Sequence, residues 1–295
     1  MNKHAFLIMA HGEPEMLDVL LQLLDDERND VFLHIDRKAL SMRQHYAHVK
    51  LHRAGFHLLQ QPIAVYWGHT SQVEAELLLM RTALQHGPYA YYHLLSGNDL
   101  PVKTQDEIHN FFRENEGHEF VGFWQSEDHQ RDALRKTRYY YFLNRYKKRS
   151  AGLKHLLSSP VRNLLLALQK GLGVNRRKGS DVEVKKGFQW FSITEDCCRF
   201  VVSQEQQIWD VFHHTLCPDE MFLHTIVWNS PFRARLFDTQ DAQLGSMRAI
   251  DWERGNPYVW QKKDTDYLLH SPYLFARKFS AATLSESLLS GRRPR

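Results

Sequence analysis

The first half of the sequence alternates short apolar runs with stretches whose apolar residues recur at helical spacing. The runs "HAFLIMAH", "DVFLHID" and "YAYYHLLSGNDLP" are typical of buried strands, whereas "PEMLDVLLQLLDD" and "QVEAELLLMRTALQHG" are typical of helices. This alternation predicts an α/β fold with a mostly parallel sheet and helices on both faces. Ligands in such folds bind beyond the carboxyl ends of the strands, where His11, Asp36 and Asp99 stand in this sequence.

Size and composition exclude several classes of protein. With 295 residues, of which 43% are hydrophobic, the chain can bury a core as one large domain or two small ones. No apolar run reaches the ~18 residues that span a bilayer, and the run "AFLIMA" is too short for a secretion signal. Three cysteines do not make a disulfide framework, so the sequence predicts a protein of the reducing cytosol.

The common catalytic and metal-binding motifs are absent. The chain has no Walker lysine loop, no G-x-G-x-x-G, no H-E-x-x-H and no G-x-S-x-G. Its 18 histidines show no metal-ligand spacing, although His34 and Asp36 of "HID" could supply a pair of ligands. The one literal D-x-D, Asp264–Asp266, has the neighbours of a surface turn or a helix start.

The stretch "CPDEMFLHTIVWNSP" places an acidic pair, Asp219 and Glu220, between a proline and an apolar run. Proline and acids favour the start of a helix, because the helix dipole is positive there. The local pattern therefore predicts a helix start and leaves a catalytic carboxylate open.

A strongly basic zone follows the alternating half. Residues 131 to 178 contain eight Arg and six Lys against one acid, Asp132. Three interpretations fit: a solvated helical face, a nucleic-acid-binding surface, or a membrane-surface segment in which leucines and cations share a helix.

Six collinear segments resemble glycosyltransferase family 14, which contains the core-2/I-branching β-1,6-N-acetylglucosaminyltransferases and the peptide O-xylosyltransferases. These segments are "AFLIMAH", "HIDRK", "VYWGHTSQVEAELLLM", "YYHLLSGNDLPVKT", "GFQWFSIT…CPDEMFLHTIVWNSP" and "MRAIDW…SPYLFARKF". The resemblance implies a single GT-A type catalytic domain over residues 1–295. The basic zone, at about 131–180, resembles the helical insertion of bacterial members.

The resemblance also implies the chemistry. Such enzymes take a sugar from a UDP-sugar, invert its anomeric configuration and need no metal or other cofactor. Glu220 aligns with the general base, while Asp219 is expected to cap the helix. Arg248 and Lys278 are expected to bind the UDP phosphates in place of a metal, and Arg277 competes with Lys278 for that role.

The remaining site residues follow from the same alignment. The expected nucleoside-binding residues are Ala10, His11, Asp36 and Trp67. The expected donor-sugar or acceptor residues are Asp99, Gln189 and Trp190. Gln189 stands where xylosyltransferases carry an acid, so N-acetylglucosamine is expected before xylose, glucose or galactose.

The expected acceptor is a glycan or a lipid-linked glycan of cell-surface polysaccharide or lipopolysaccharide synthesis, in the cytoplasm or on the inner face of the plasma membrane. Residues 150–178 are expected either to dock on anionic membrane or to pack on the domain, and nucleic acid is not an expected partner. The docking leucines would be Leu153, Leu156, Leu157, Leu164, Leu165 and Leu168, and the cations Arg162, Lys170, Arg176 and Arg177. A non-catalytic nucleic-acid binder and a metal-dependent enzyme using His34 remain the alternatives.

Overall fold

The predicted alternation is present in a computed structural model, which describes residues 3–142, 144–146, 153–284 and 286–289. The strands, in chain order, are β1 (His4–Ala10), β2 (Asn29–Ile35), β3 (Gly55–Leu58), β4 (Tyr91–Ser96), β5 (Leu100–Pro101), β6 (Phe120–Phe123), β7 (Gly187–Thr194), β8 (Arg248–Ile250) and β9 (Phe275–Arg277).

The helices follow the strands as expected in the first half and cluster in the second. They are α1 (Pro14–Leu24), α2 (Leu40–Tyr46), α3 (Ser71–His86), α4 (Gln105–Glu114), α5 (Glu127–Arg138), α6 (Leu153–Gly171), α7 (Glu195–Ser203), α8 (Glu205–Phe212), α9 (Phe222–Trp228), α10 (Ala242–Ser246), α11 (Thr265–His270) and α12 (Glu286–Leu289).

A six-stranded sheet of order β3-β2-β1-β4-β7-β6 forms the centre of the molecule. Strands β1 to β4 pair in parallel, and only β7 runs antiparallel to its neighbours β4 and β6. Ala10 lies opposite Ile35, and Met9 lies opposite Ser96, so the carboxyl ends of β1, β2 and β4 meet at one edge. The α/β fold with a mostly parallel sheet is therefore confirmed.

The central strands read as continuous apolar runs because both faces of the sheet are covered. On β1, Ala5 and Leu7 enter one hydrophobic core with residues of α3, α7 and α9, whereas Phe6 and Ile8 enter another with residues of α1 and α4. All four side chains are fully buried. Helices on both faces follow from this alternation, as the sequence predicts.

A small second sheet of order β5-β9-β8 lies beyond β4. Strands β8 and β9 come from the segments "SMRAIDW" and "SPYLFARKF", and the pairing of β9 with β5 places Ala276 opposite Leu100. This sheet brings residues from the end of the chain to the carboxyl edge of the central sheet.

The helix expected over "PDEMFLHTIVWN" is divided in two. A 3-10 turn covers Pro218–Glu220, and α9 begins only at Phe222. Met221, with φ of −137°, separates the two pieces, so the acidic pair precedes the α-helix instead of forming its first turn.

The D-x-D segment lies at a helix start, as expected, but Asp264 is buried and not on the surface. Its carboxylate accepts hydrogen bonds from Arg254 (2.9 Å) and from the backbone N–H of Gln261 (2.9 Å). These bonds give Asp264 a structural role at the start of α11.

Candidate active site

Glu220 is held by a tight turn between two distant segments. Cys217, which precedes the 3-10 turn, adopts a left-handed conformation with φ of 52°, and its N–H donates to the carbonyl of Gly68 at 3.0 Å. Gly68 itself has a φ of +67°, where a side chain is strained, and a Cβ there would lie 3.2 Å from the Cys217 sulfur. The loop that carries Trp67 is thereby fixed against the turn that carries Glu220.

A second anchor lies on the other side of Glu220. His224 of α9 is fully buried, and its Nε2 lies 3.1 Å from the carbonyl oxygen of Gly122. A Cβ at Gly187 would lie 1.8 Å from that same oxygen and 2.6 Å from His224 Nε2, so only glycine fits at the start of β7. This close approach packs α9, and with it Glu220, against strands β6 and β7.

Glu220 lines an open cleft of about 560 Å³. Three tryptophans, Trp67, Trp124 and Trp252, share its walls. Trp67 is 46% exposed and Trp252 is 42% exposed, so both offer aromatic faces that a sugar ring can pack against. The charged or titratable side chains of the cleft are His129, Asp132, Arg135, Lys136, Lys186 and Glu220.

The carboxylate of Glu220 lies between two ammonium groups. Lys186 Nζ is 3.1 Å from Glu220 Oε2 and Lys136 Nζ is 3.7 Å from it. Asp132 holds both lysines from the other side, at 2.7 Å from Lys186 and 2.8 Å from Lys136. Both lysine side chains are at most 10% exposed, whereas the side chain of Glu220 is 29% exposed.

Burial and charge oppose each other at Lys136 and Asp132. Burial disfavours the charged form of Lys136, but its interactions with Cys217, Glu220 and Asp132 outweigh burial and raise its pKa. Burial also works against ionised Asp132, but hydrogen bonds from Lys136, Lys186 and Arg135 outweigh it and lower the pKa of Asp132. An ionised Glu220 in contact with two cations can accept a proton from a hydroxyl group within hydrogen-bond reach.

Asp219 differs from Glu220 in almost every respect. Its side chain is buried, Oδ2 accepts a hydrogen bond from Gln72 at 2.9 Å, and Oδ1 has no hydrogen-bond partner among the described residues. Burial, followed by the negative charge of Glu220, raises the pKa of Asp219 to about 7. The expected capping role is wrong, because no side chain caps the 3-10 turn or α9.

A second buried acid, Glu76 of α3, lies behind Asp219. Burial and the charge of Asp219 raise the pKa of Glu76 well above its ordinary value. Its Oε1 accepts a hydrogen bond at 2.8 Å from Gln189, one of the expected donor-sugar or acceptor residues. Gln189 precedes Trp190 on β7, and its amide is already bonded to a buried acid.

The other two expected donor-sugar or acceptor residues belong to a second cluster at the end of β4. Asp99 is buried and accepts hydrogen bonds from the backbone N–H of Ser96 (2.7 Å) and from Arg277 Nη1 (2.6 Å). The guanidinium of Arg277 lies over the ring of Trp190, 4.4 Å from its centroid. Asp99 and Trp190 therefore position Arg277 from two sides.

The expected nucleoside residues meet at the carboxyl edge of β1 and β2. The N–H of Asp36 donates to the carbonyl of Ala10 at 2.9 Å, and His11 follows Ala10 directly. Asp36 pairs with Lys38 at 3.3 Å, and the Lys38 ammonium lies 4.1 Å from the ring centroid of Tyr66. Because Tyr66 precedes Trp67, this chain of contacts joins the nucleoside edge to the cleft.

The expected phosphate-binding residues are in different environments. Arg248 is 2% exposed, and its Nη2 donates to the carbonyl of Leu94 at 3.3 Å and to the hydroxyl of Ser192 at 3.1 Å. Burial lowers the pKa of Arg248 to about 9. Lys278 is half-buried, and its ammonium makes no hydrogen bond or ion pair with the described residues.

His34 has a structural contact that the sequence did not indicate. Its Nε2 accepts a hydrogen bond from the N–H of Ile63 at 2.9 Å, and burial lowers the pKa of His34 to about 4. That nitrogen is thus already occupied. Within the part of the chain that the structure describes, no group of three His, Cys, Asp or Glu side chains is arranged to hold a metal.

Sequence reasoning missed Lys136, Lys186 and Asp132. They stand in or beside the basic zone. That zone contains so many cations that the sequence does not show which of them have a defined partner. The presence of one acid among fourteen cations was the available signal, since a lone acid in such a zone has an electrostatic reason to be paired.

Together the sheet edge, the tryptophan faces and the carboxylate of Glu220 form an α/β cleft suited to a sugar hydroxyl. A model of the Core-2/I-Branching enzyme family matches residues 4–269. The chain belongs to this family, glycosyltransferase family 14. Its α/β sheet suits the GT-A type fold that the sequence resemblance implies.

Curated relatives include xylosyltransferase 2 of Mus musculus, 24% identical over 96% of this chain and 32% of the relative. Xylosyltransferase 1 of Homo sapiens is 23% identical over 96% of this chain and 29% of the relative. The chain spans about a third of the length of these relatives. Among solved structures, the apo form of mouse xyloside xylosyltransferase 1 has 11% identity and a TM-score of 0.41, with 97% of this chain and 100% of that chain covered.

Proposed function

We propose that the chain acts as a single catalytic domain that moves a sugar from a UDP-sugar to a hydroxyl group of a glycan, with inversion at the anomeric carbon. The observation that carries the proposal is the position of Glu220: a partly exposed carboxylate in an open cleft, braced by Lys136 and Lys186. Membership of a glycosyltransferase family supports the reaction class.

The reaction is one in-line displacement. The acceptor oxygen forms a bond to the anomeric carbon while the bond from that carbon to the β-phosphate oxygen breaks, and UDP leaves with the electron pair. The acceptor proton passes to a carboxylate oxygen of Glu220. Only one carboxylate is needed, because no covalent sugar–enzyme intermediate forms. Asp219 is buried behind Glu220 and is not available to the acceptor.

The leaving UDP gains negative charge on its β-phosphate, and fixed cations can stabilise it. We propose Lys278 as a phosphate ligand because its half-buried ammonium is not engaged by another described side chain. Arg277, which Asp99 and Trp190 hold in place, is the second candidate. For Arg248, a phosphate contact would compete with its present bonds to backbone carbonyls. Metal-independent transfer is part of the proposal.

The nucleoside is placed at the carboxyl edge of β1 and β2. Ala10, His11 and Asp36 lie together there, and the contact of Lys38 with Tyr66 leads from them to Trp67 in the cleft. A nucleotide bound along this path would have its base at the sheet edge and its sugar directed to Glu220. This path agrees with ligand binding at strand ends in α/β sheets.

N-acetylglucosamine is the proposed donor sugar, and xylose is the second candidate. Gln189 supports N-acetylglucosamine, because it stands at the position where xylosyltransferases carry an acid. Its amide donates a hydrogen bond to Glu76. The names of the relatives, xylosyltransferases 1 and 2, favour the second. UDP-glucose and UDP-galactose remain within the same reaction class.

A thermal-shift series tests the donor. We expect UDP and one UDP-sugar to raise the melting temperature, because a ligand that binds the folded state stabilises it. CDP and GDP-mannose serve as controls for the base. A shift with GDP-mannose but not with any UDP-sugar would contradict the nucleoside assignment. Incubation of the stabilising donor with glycan acceptors, followed by mass spectrometry, then tests transfer.

We further propose that the acceptor is a bacterial cell-surface glycan or its lipid-linked precursor, met in the cytoplasm or at the inner face of the plasma membrane. None of the helices in the described part of the chain has the length and apolarity to cross a bilayer. Two cations of the basic zone, Lys136 and Arg176, contact groups of the protein itself. That arrangement favours a transferase over a nucleic-acid binder.

A further inference from the structure

Helix α6 carries an apolar stripe that faces away from the protein. Val161, Leu164, Leu168 and Leu172 are 47%, 60%, 53% and 79% exposed. Their spacing of three or four residues places them within about 80° of one another around the helix axis, since each residue turns the helix by about 100°. We name these four residues the leucine stripe. The side chains of Leu153, Leu156 and Leu157 lie outside the described part of the chain.

The orientation of α6 is set by its contacts with the domain. Leu166 packs against a small cluster of Tyr141, Leu216 and Cys217. Gln169 donates to the carbonyl of Tyr140 at 2.9 Å and accepts from its N–H at 2.7 Å. These contacts bind a different side of the helix, so the leucine stripe stays exposed while α6 is packed on the protein.

Other exposed apolar groups lie in the same region of the sequence as the stripe. Of the eleven large hydrophobic side chains that the structure describes as exposed, seven lie between residues 134 and 172. They include Tyr140 and Phe142, whose rings stack with centroids 5.8 Å apart. Such a concentration marks an interaction surface, because single exposed apolar residues are normally scattered.

The charge around α6 is of one sign. The sequence has no acid between Asp132 and Asp181, and Arg138, Lys170 and Lys178 are exposed. Arg176 and Arg177, expected to meet lipid, instead donate to the carbonyls of Val211 (2.9 Å) and Val182. The exposed positive charge therefore comes from a smaller set of residues than the sequence suggests.

We propose that this surface docks on an anionic lipid bilayer. The leucine stripe enters below the headgroups, and Arg138 and Lys178 are attracted to the negative surface. Lys170 lies on the opposite side of α6 from the stripe and is not part of the docking surface. A second copy of the chain would bring the same positive charges together across the interface. A nucleic acid would satisfy the cations but would leave the leucine stripe exposed. An anionic membrane matches both properties.

Docking would place the cleft beside the bilayer. Leu166 of α6 contacts the cluster that contains Leu216 and Cys217, and these two residues also line the cleft of Glu220. Only one packed layer therefore separates the helix from the cleft. This consequence rests on the proposed function, since it explains how a lipid-linked acceptor reaches the base. Docking of α6 on the bilayer does not depend on the proposed function.

Co-sedimentation of the full chain with vesicles tests the proposal, with no donor or acceptor present. One set of vesicles contains phosphatidylcholine with an equal part of phosphatidylglycerol, and the other contains phosphatidylcholine alone. We expect binding to the first set only, reduced about tenfold or more by Leu164→Gln with Leu168→Gln. Arg138→Gln with Lys178→Gln should reduce it by a similar factor.

Matched controls come from the same chain. Leu40 of α2 is 64% exposed, so Leu40→Gln removes an equally exposed leucine elsewhere, and Lys262→Gln with Lys263→Gln removes two exposed lysines. Both controls should bind anionic vesicles like the parent. Unchanged binding by the leucine variant would overturn the proposal. So would self-association in sedimentation velocity that the leucine variant abolishes, because the stripe would then belong to a second copy.

Discussion

The carboxylate of Glu220 lies 3.1 Å from the ammonium of Lys186, and Asp132 lies 2.7 Å from the same ammonium on its other side. Lys186 is thus shared between the proposed base and a carboxylate that makes no contact with the base. The arrangement orients Glu220 and balances its charge while leaving it partly exposed to the cleft.

Glu220→Gln should lower the rate of transfer by about a hundredfold or more, because glutamine cannot accept the acceptor proton. The affinity for UDP, measured by isothermal titration calorimetry, should stay nearly unchanged. Glu27→Gln, at an exposed acid on the surface, is the matched control. A variant that keeps more than about a tenth of the parent rate would exclude Glu220 as the base.

Lys186→Met should slow transfer and move the acid limb of the kcat/KM pH profile to higher pH. Loss of a nearby positive charge makes a carboxylate easier to protonate. In this variant only Lys136 remains between the carboxylates of Asp132 and Glu220. Lys185→Met is the control, since the Lys185 ammonium pairs with Glu183 at 2.6 Å, outside the cleft. Identical pH profiles for Lys186→Met and the parent would leave Lys186 without this role.

Asp219 should make the stability of the fold depend on pH. Its pKa is raised to about 7 by burial and by Glu220, above the ordinary value of 3.8, so the folded state binds a proton that the unfolded state releases. The stabilising effect is fully present below about pH 3.8 and is lost progressively as pH rises from there to about 7. Asp219→Asn should remove this component. We expect the melting temperatures of parent and variant to diverge by about 2 °C or more between pH 5 and pH 7, and parallel curves would refute the assignment.

Arg248 and Lys278 should behave differently on replacement by alanine. Lys278→Ala should weaken UDP binding with little change in melting temperature. Arg248→Ala should weaken UDP binding and, in addition, lower the free energy of unfolding by about 3 kcal/mol, because buried carbonyl and hydroxyl groups lose their donor. Chemical denaturation measures the stability, and calorimetry measures UDP binding. Lys262→Ala, at an exposed lysine, should change neither. Normal UDP affinity in Lys278→Ala would remove Lys278 from the phosphate site.

Transfer should be independent of divalent cations. Protein dialysed against EDTA should keep its rate and its UDP affinity, because we assign neutralisation of the leaving phosphate to side-chain cations. Addition of Mn²⁺ or Mg²⁺ should bring no large activation. A strict requirement for either ion would contradict this part of the proposed mechanism.

Local pattern was sufficient for the elements of the fold. The periodicity of two or 3.6 residues is present in short segments, so β1, β2, β4 and the helices α1 and α3 follow from the order of apolar and polar residues. Helix α2 and strand β3 were not predicted. The meeting of Ala10, Asp36 and Ser96 at one edge also follows, because parallel strands end on the same side.

Interactions between distant segments could not be predicted in this way. Glu220 and Asp219 are adjacent in sequence, yet one is partly exposed between two lysines and the other is buried beside Glu76. Arg248 was expected to bind phosphate, but it is buried and donates to Leu94 of β4 and Ser192 of β7.

The sequence by itself determined the alternation of elements and the parallel sheet, because these depend on periodicity within short segments. The candidate base came from the resemblance of its segment to the family. Tertiary structure alone decided which of the described cations in the basic zone serve the cleft and which serve the surface. Ion pairs form between residues that are distant in sequence but close in space, and their strength depends on how far burial excludes water from them. Lys136 and Lys178 therefore look alike in sequence, although the first lies beside Glu220 and the second faces solvent.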